Sequence, residues 1–127
     1  MSEKQKLALS QPVSVILNKE PEDFRRKDFL KLIELKQLER ITFHYVGLDG
    51  KLKELKIPVT SLSQAETILA EGERVDGSSL YKGLVDMGLS DLYVVPVYKS
   101  AFLNPFDEGS LDFIGRYLDS QGQPAFF

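Results

Sequence analysis

The sequence predicts an α+β domain in which a small mixed sheet packs on helices, and three observations support this prediction. Apolar residues recur at helical spacing over residues 21–39. Residues 40–57 then alternate between apolar and polar types on both sides of an Asp-Gly turn, which is typical of a β-hairpin. Two further β-prone segments, 92–98 and 111–118, follow a short second helical segment. This order of elements suits a single sheet that is covered by helices on one face.

The composition of the chain disfavours several kinds of binding partner and chemical site. The chain has 127 residues and a formal net charge of -3, which disfavours nucleic acid or an anionic membrane as the main partner. It has no cysteine, so disulfides, thiolate zinc sites and a cysteine nucleophile are excluded. A single histidine disfavours a transition-metal site. No apolar run is long enough to cross a membrane and no signal-peptide core is present, so the cytoplasm is the expected compartment.

The N-terminal part is expected to contain an arm and then a long helix. Residues 1–12 are polar and are predicted to be a flexible arm, so that the folded domain spans residues 13–127. The apolar run 13–17 is compatible with an extra strand or a docking segment. Acidic residues and Pro21 favour a helix start, and an amphipathic helix is predicted over 21–39. The basic run 25–27 near its start is interpreted as a solvated face, with a binding patch as the alternative.

The hairpin contains the only histidine, His44. It has no Asp or Ser partner nearby in the sequence, so a structural or surface role is predicted rather than catalysis. The lysines of the hairpin are interpreted as solvent-facing, and Pro58 is expected to end its second strand. Ser61 and Gln64 then have capping-box spacing at the start of a short helix, and Gly72 suits the end of that helix.

The last part of the chain is expected to complete the sheet. The strand predicted over 92–98 contains Pro96, which suggests a sheet edge or a bulge. A loop is predicted over 99–109, followed by a strand over 111–118. A β-grasp arrangement is the first choice for the whole domain.

The residues alone give a weak indication of chemistry. Asp-Gly-Ser-Ser at residues 76–79 is an ordinary turn sequence when it stands by itself. No phosphate-binding loop, dinucleotide fingerprint or zinc-protease motif is present. The remaining acidic residues of the second half do not have calcium-loop spacing and are expected to be solvated; they are Asp86, Asp91, Asp107, Glu108 and Asp112.

Several short motifs occur in a specific order and spacing: Ile57-Pro58, Val75-Asp76-Gly77-Ser78-Ser79, Lys82-Gly83-Leu84 and Ser90-Asp91-Leu92. In this order and spacing, over residues 21–127, they resemble the N-terminal β-grasp domain of glutamine synthetases. That family ligates ammonia to glutamate with ATP, through γ-glutamyl phosphate and with divalent Mg or Mn. Its active sites lie between subunits of a ring, and the N-terminal domain of one subunit covers the catalytic domain of its neighbour.

The resemblance implies roles for three residues. Asp76 would be the catalytic residue that binds ammonium and takes its proton, and Ser79 and Asp91 would help to bind ammonium. A carboxylate attracts ammonium, and deprotonation exposes the lone pair that attacks the acyl phosphate. No cofactor-binding or metal-binding residue is expected in this chain, because the family's ATP and metal sites lie beyond the equivalent of Phe127. ATP and the metals are implied only for a complete enzyme.

The expected partner is therefore the catalytic domain of the same or a neighbouring subunit, in a ring homo-oligomer. The apolar residues 125–127 would prefer burial against a following domain, which favours a truncated N-terminal domain that is inactive in isolation. Two alternatives remain open. The chain is compatible with a stand-alone interaction or regulatory module, and the altered loop 75–81 is compatible with a ligase that joins glutamate to another amine.

Overall fold

The computed structural model describes residues 12–47, 50–76 and 91–118, and for Asp76 and Asp91 it describes the backbone only. The helices are α1 (Pro12–Leu17), α2 (Arg26–Lys36) and α3 (Leu62–Glu71), with 3-10 turns at Pro21–Asp23 and Tyr98–Ser100. The strands are β1 (Arg40–Val46), β2 (Leu52–Pro58), β3 (Glu73–Asp76), β4 (Asp91–Pro96), β5 (Phe102–Leu103) and β6 (Ser110–Leu118).

The strands form one mixed sheet with β6 at its centre. Its order is β2-β1-β6-β4-β3, and β5 pairs with β6 beside β4. The first half of β6 runs parallel to β1, whereas its second half pairs antiparallel with β4. The sheet and its helices confirm the predicted α+β, β-grasp-like fold.

One face of the sheet packs on the helices and forms the core. Alternate residues of β1 point to this face, and Ile41 and Phe43 are fully buried. Phe113 of β6 contacts Phe29 of α2 edge to face, with ring centroids 4.9 Å apart. Phe113 in turn contacts Phe43 of β1, so that aromatic contacts connect α2 to both β6 and β1.

The opposite face, called the outer face below, carries the other alternate residues of β1 and β6. These residues are Thr42, His44, Val46, Ser110, Asp112 and Ile114. Polar groups are buried at one end of this face, and Val46 and Ile114 are exposed at the other end. The outer face is therefore not a uniformly solvated surface.

The N-terminal part differs from the sequence prediction in two ways. The run 13–17 belongs to helix α1, not to a strand, and its Val13 is fully buried in the core. The helix predicted over 21–39 is divided, because Phe24 and Arg25 are extended between the 3-10 turn and α2. The buried carboxylate of Asp28 explains the new start, since it accepts hydrogen bonds from Arg25 N at 2.9 Å and from Lys19 Nζ. Burial raises the pKa of Asp28, but these bonds prevail and lower it.

The hairpin, α3 and β6 are confirmed. β1 and β2 pair antiparallel, and Ser61 Oγ accepts the Gln64 N–H at 3.0 Å at the start of α3. Pro96 is the last residue of β4 and pairs with Gly115 of β6. The pairing of β3 with β4 ends at Val94, so Pro96 is paired on one side only, which agrees with the edge interpretation. The 99–109 loop also contains the short strand β5.

Among the parts of the chain that the structure describes, no helix is long and apolar enough to span a membrane.

Candidate functional site

Two of the three predicted site residues lie opposite each other at the end of the β3–β4 ribbon. Asp76 is the last residue of β3, Asp91 is the first residue of β4, and the antiparallel register pairs them directly. The third predicted residue, Ser79, lies outside the described residues, as do Tyr81 and the Lys82-Gly83-Leu84 motif.

The position of this ribbon is set by packing at its other end. Helix α3 ends where Gly72 N donates to Ile68 O at 2.8 Å, and Gly72 then leads directly into β3. Gly72 has a φ of +74°, and a Cβ added there would lie 2.2 Å from the carbonyl oxygen of Val94 in β4. Only glycine combines this backbone conformation with so close an approach. The contact fixes how β3, and with it Asp76, lies against β4.

Replacing Gly72 by alanine is expected to lower the free energy of unfolding by about 2–3 kcal/mol, because backbone strain and a steric clash combine. Gly50 is a matched control, since its φ is +82° but nothing lies within 4 Å of an added Cβ. Gly50→Ala should therefore cost only about 1 kcal/mol. Urea unfolding of both variants measures the difference. Equal losses would show that the approach of Gly72 to Val94 is not a significant constraint.

Tyr98, which follows β4, stabilises the junction between α3 and β3 through a hydrogen bond. Its hydroxyl donates to the carbonyl oxygen of Leu69 at 2.7 Å, which ties the last turn of α3 to the segment after β4. Burial raises the pKa of the Tyr98 phenol, so it remains a hydrogen-bond donor at neutral pH.

A second polar cluster, which the sequence did not predict, lies on the outer face. Asp112 is fully buried, and its Oδ2 lies 2.5 Å from His44 Nε2 and 3.0 Å from Asn104 Nδ2. Its Oδ1 accepts the Ser110 hydroxyl at 2.5 Å. The other ring nitrogen of His44 lies 3.6 Å from Glu54 Oε1. The interpretation of Asp112 as a solvated carboxylate was wrong, because three side chains satisfy it.

This cluster does not have the geometry of a nucleophile and its base. Ser110 Oγ contacts Asp112 and lies 2.8 Å from Thr42 Oγ1, whereas catalysis by a serine requires contact with the histidine. His44 stacks on Phe102, with ring centroids 5.6 Å apart. The prediction of a structural role for His44 fits these contacts. A sequence signal was present, because Asp112 lies between the apolar residues Leu111 and Phe113 in the strand predicted over 111–118.

A third polar feature holds the loop between β5 and β6. Arg40 Nε donates to Asp107 Oδ2 at 3.1 Å, Arg40 Nη2 donates to Asp107 Oδ1, and the same Nη2 donates to the Glu108 carbonyl at 2.7 Å. The hydrogen bonds from Arg40 lower the pKa of Asp107, and Asp107 in turn raises the pKa of Arg40. Lys56 Nζ lies 3.5 Å from Asp107 as well. Asp107 is thus paired twice, unlike a freely solvated carboxylate.

A metal centre is not assembled within the described ranges, where no group of three or more His, Cys, Asp or Glu side chains is arranged to hold an ion.

Solved structures share this fold. The structure of Plasmodium falciparum glutamine synthetase aligns with a TM-score of 0.63 and 18% identity, over 81% of this chain and 20% of that one. A structure described as apo GmaS without ligand aligns with a TM-score of 0.61 and 16% identity, over 78% of this chain and 22% of that one. The chain therefore spans about a fifth of the length of these proteins. Comparison with curated proteins gave no match.

A comparison with family models identifies the family, whereas the solved structures show only the fold. The model for the glutamine synthetase β-grasp domain matches residues 37–120, which include the hairpin, both strands of the β3–β4 ribbon and β6. This range also contains Asp76, Ser79 and Asp91. Because the match covers more than half of the sequence, the chain belongs to the glutamine synthetase β-grasp domain family.

Proposed function

We propose that this chain is the N-terminal domain of a glutamine-synthetase-like, ATP-dependent glutamate–ammonia ligase. In this role it contributes the loop after Asp76 to an active site that a neighbouring subunit completes. The observation that carries the proposal is the register of Asp76 with Asp91 at the end of the β3–β4 ribbon, within the range that the family model matches. The partner is the catalytic unit of the ligase, in a cytoplasmic ring of identical subunits.

Asp76 would act as the ammonium site and the general base. Its carboxylate attracts ammonium, and transfer of one proton to an Asp76 oxygen leaves neutral ammonia with a free lone pair. That lone pair attacks the γ-carbonyl carbon of γ-glutamyl phosphate, so that a C–N bond forms and the C–O bond to phosphate breaks. The attacking nitrogen loses a second proton, which the departing phosphate accepts, and the neutral amide remains. Asp91 would keep the ammonium pocket negative, and the Ser79 hydroxyl would help to orient the ion.

In this proposal, ATP and the divalent metals belong to the catalytic unit. ATP supplies the phosphoryl group that activates glutamate. The contribution of this chain is limited to capturing and deprotonating the amine. This chain spans about a fifth of the length of the solved relatives. Under this division of roles, it would still carry out the deprotonation of the amine.

The first test is whether the chain works only in combination. The purified 127-residue chain, given glutamate, ammonium, ATP and Mg²⁺, is expected to form no glutamine above the protein-free background. Addition of the catalytic portion of a glutamine synthetase from the same source is expected to start turnover. Glutamine formation by the chain alone would contradict the proposal, as would a mixture that stays inactive while the two parts bind each other.

The same assay separates ammonia from other amines. Methylamine and ethylamine are supplied in place of ammonium, and the ratio of kcat/KM values is compared. A preference for ammonia supports the proposed activity, whereas a preference for an alkylamine identifies the chain as part of a glutamate–amine ligase. Sequencing the coding DNA beyond the Phe127 codon shows whether a catalytic portion follows in the same reading frame.

A further inference from the structure

The loop between β5 and β6 presents an unusual aromatic residue. Phe106 is 97% exposed, more than the other large apolar side chains that are exposed in the described ranges. A single exposed apolar residue is ordinary on a flexible surface. What distinguishes Phe106 is that the loop around it is tightly fixed.

Two sets of contacts fix this loop to the sheet. On one side, Asn104 Oδ1 accepts the Phe106 N–H at 2.8 Å, while Asn104 Nδ2 donates to the buried carboxylate of Asp112 at 3.0 Å. On the other side, Arg40 binds the Asp107 carboxylate and the Glu108 carbonyl. Phe106 thus lies between two anchored positions.

Backbone hydrogen bonds also hold the loop between β5 and β6 in one conformation. Ser110 N donates to Asp107 O at 3.2 Å, and Asn104 N donates to Ser110 O at 3.3 Å. Gly109 has a φ of +86°, and its carbonyl accepts the Arg40 N–H at 3.2 Å at the start of β1. Little backbone freedom therefore remains to be lost when Phe106 is buried by a partner.

A rigid and exposed aromatic side chain has the properties of a binding anchor. Interface energy concentrates in a few aromatic or arginine residues that fill a pocket, and affinity improves when the presenting segment is already ordered. The carboxylate of Asp107, the residue after Phe106, is paired with both Arg40 and Lys56. The tip of the loop therefore suits an apolar pocket with a polar rim.

We propose that Phe106 is the anchor by which this domain docks onto the catalytic unit of the ligase, filling an apolar pocket there. This inference rests on the proposed function, which supplies the partner. The solved structures that share the fold carry about four-fifths of their length outside the matched region, so a large protein surface is available beside such a domain. The Asn104 and Arg40 contacts hold the loop in its docking conformation before binding.

Calorimetry measures the dissociation constant of the complex between two proteins. One is the 127-residue chain, and the other is the separately produced catalytic portion of a glutamine synthetase from the same source. Phe106→Asp is expected to weaken binding by about 30-fold or more, as for other interface anchors. Asn104→Ala keeps the ring but loosens the loop, and is expected to weaken binding by about fivefold. Leu35→Asp is the matched control, because Leu35 is 65% exposed on helix α2, away from the outer face.

The outcomes separate this inference from the proposed function. If the wild-type chain binds and Phe106→Asp binds equally well, docking is real but Phe106 is not the anchor. If Leu35→Asp weakens binding as much as Phe106→Asp, the loop between β5 and β6 is not a specific docking site. If the wild-type chain does not bind the catalytic portion, the proposed function fails together with the anchor. Unchanged thermal unfolding of Phe106→Asp confirms that the variant is folded.

Discussion

Replacing Asp76 by asparagine in the assembled ligase is expected to lower kcat for glutamine formation by about 10²–10⁴-fold, the range typical of a lost general base. Asparagine has nearly the same shape but accepts no proton and carries no charge. Ammonium would then bind less tightly and would remain protonated, without the lone pair that the acyl phosphate requires. The rate is measured at saturating ammonium, so that the loss of proton transfer is separated from the loss of affinity.

Asp23→Asn is the control for this experiment. Asp23 is an exposed acid in the 3-10 turn before α2, far along the sequence from the ribbon, and its replacement removes the same charge. It should leave kcat within about twofold of the wild-type value, since surface charges at a distance are screened. An Asp76→Asn enzyme that retains wild-type kcat would remove Asp76 from the mechanism and leave the ribbon with a structural role.

Replacing Asp112 by alanine is expected to lower the free energy of unfolding by about 3–5 kcal/mol, the range for breaking a buried charged cluster by removing one partner. His44, Asn104 and Ser110 each lose the acceptor that Asp112 supplies. Buried donors without acceptors are costly because water does not replace the missing bond. Urea denaturation monitored by circular dichroism gives the difference, provided that the denaturant slope is unchanged.

Asp23→Ala is the comparison here as well, since it removes an exposed carboxylate and should change stability by less than about 0.5 kcal/mol. A double-mutant cycle with Asn104→Ala isolates the contact that fixes the loop. If Asp112→Ala costs no more than Asp23→Ala, the cluster on the outer face does not stabilise the fold.

The sequence predicted those elements that depend on local patterns. The hairpin follows from alternation around an Asp-Gly turn, and α3 follows from Ser61 at its start and Gly72 at its end. Helix α1 was not predicted, because six residues are too few for a helical period to be recognised. The helix over 21–39 was predicted too long, because its apolar spacing continues through two residues that are extended.

Contacts between distant residues were not predictable in this way. His44 and Asp112 are 68 positions apart, so a search for partners near His44 in the sequence finds none. Their contact depends on the parallel pairing of β1 with β6, which no local pattern specifies. Likewise, motif order suggested Asp76 and Asp91 separately, but only the β3–β4 register places them opposite each other. The role of Ser79 remains a prediction.

The central position of β6 has a consequence for the synthesis of the domain. The strand that joins the two halves of the sheet is the last one along the described chain. Until it leaves the ribosome, β1–β2 and β3–β4 are separate two-stranded ribbons, and such ribbons are marginally stable in water. Cooperative folding must therefore wait for pairings that span about 70 residues, which is a slow kind of contact to form. Nascent chains that stall before Ser110 expose unpaired strand edges, and they are the species of this protein that most require a chaperone.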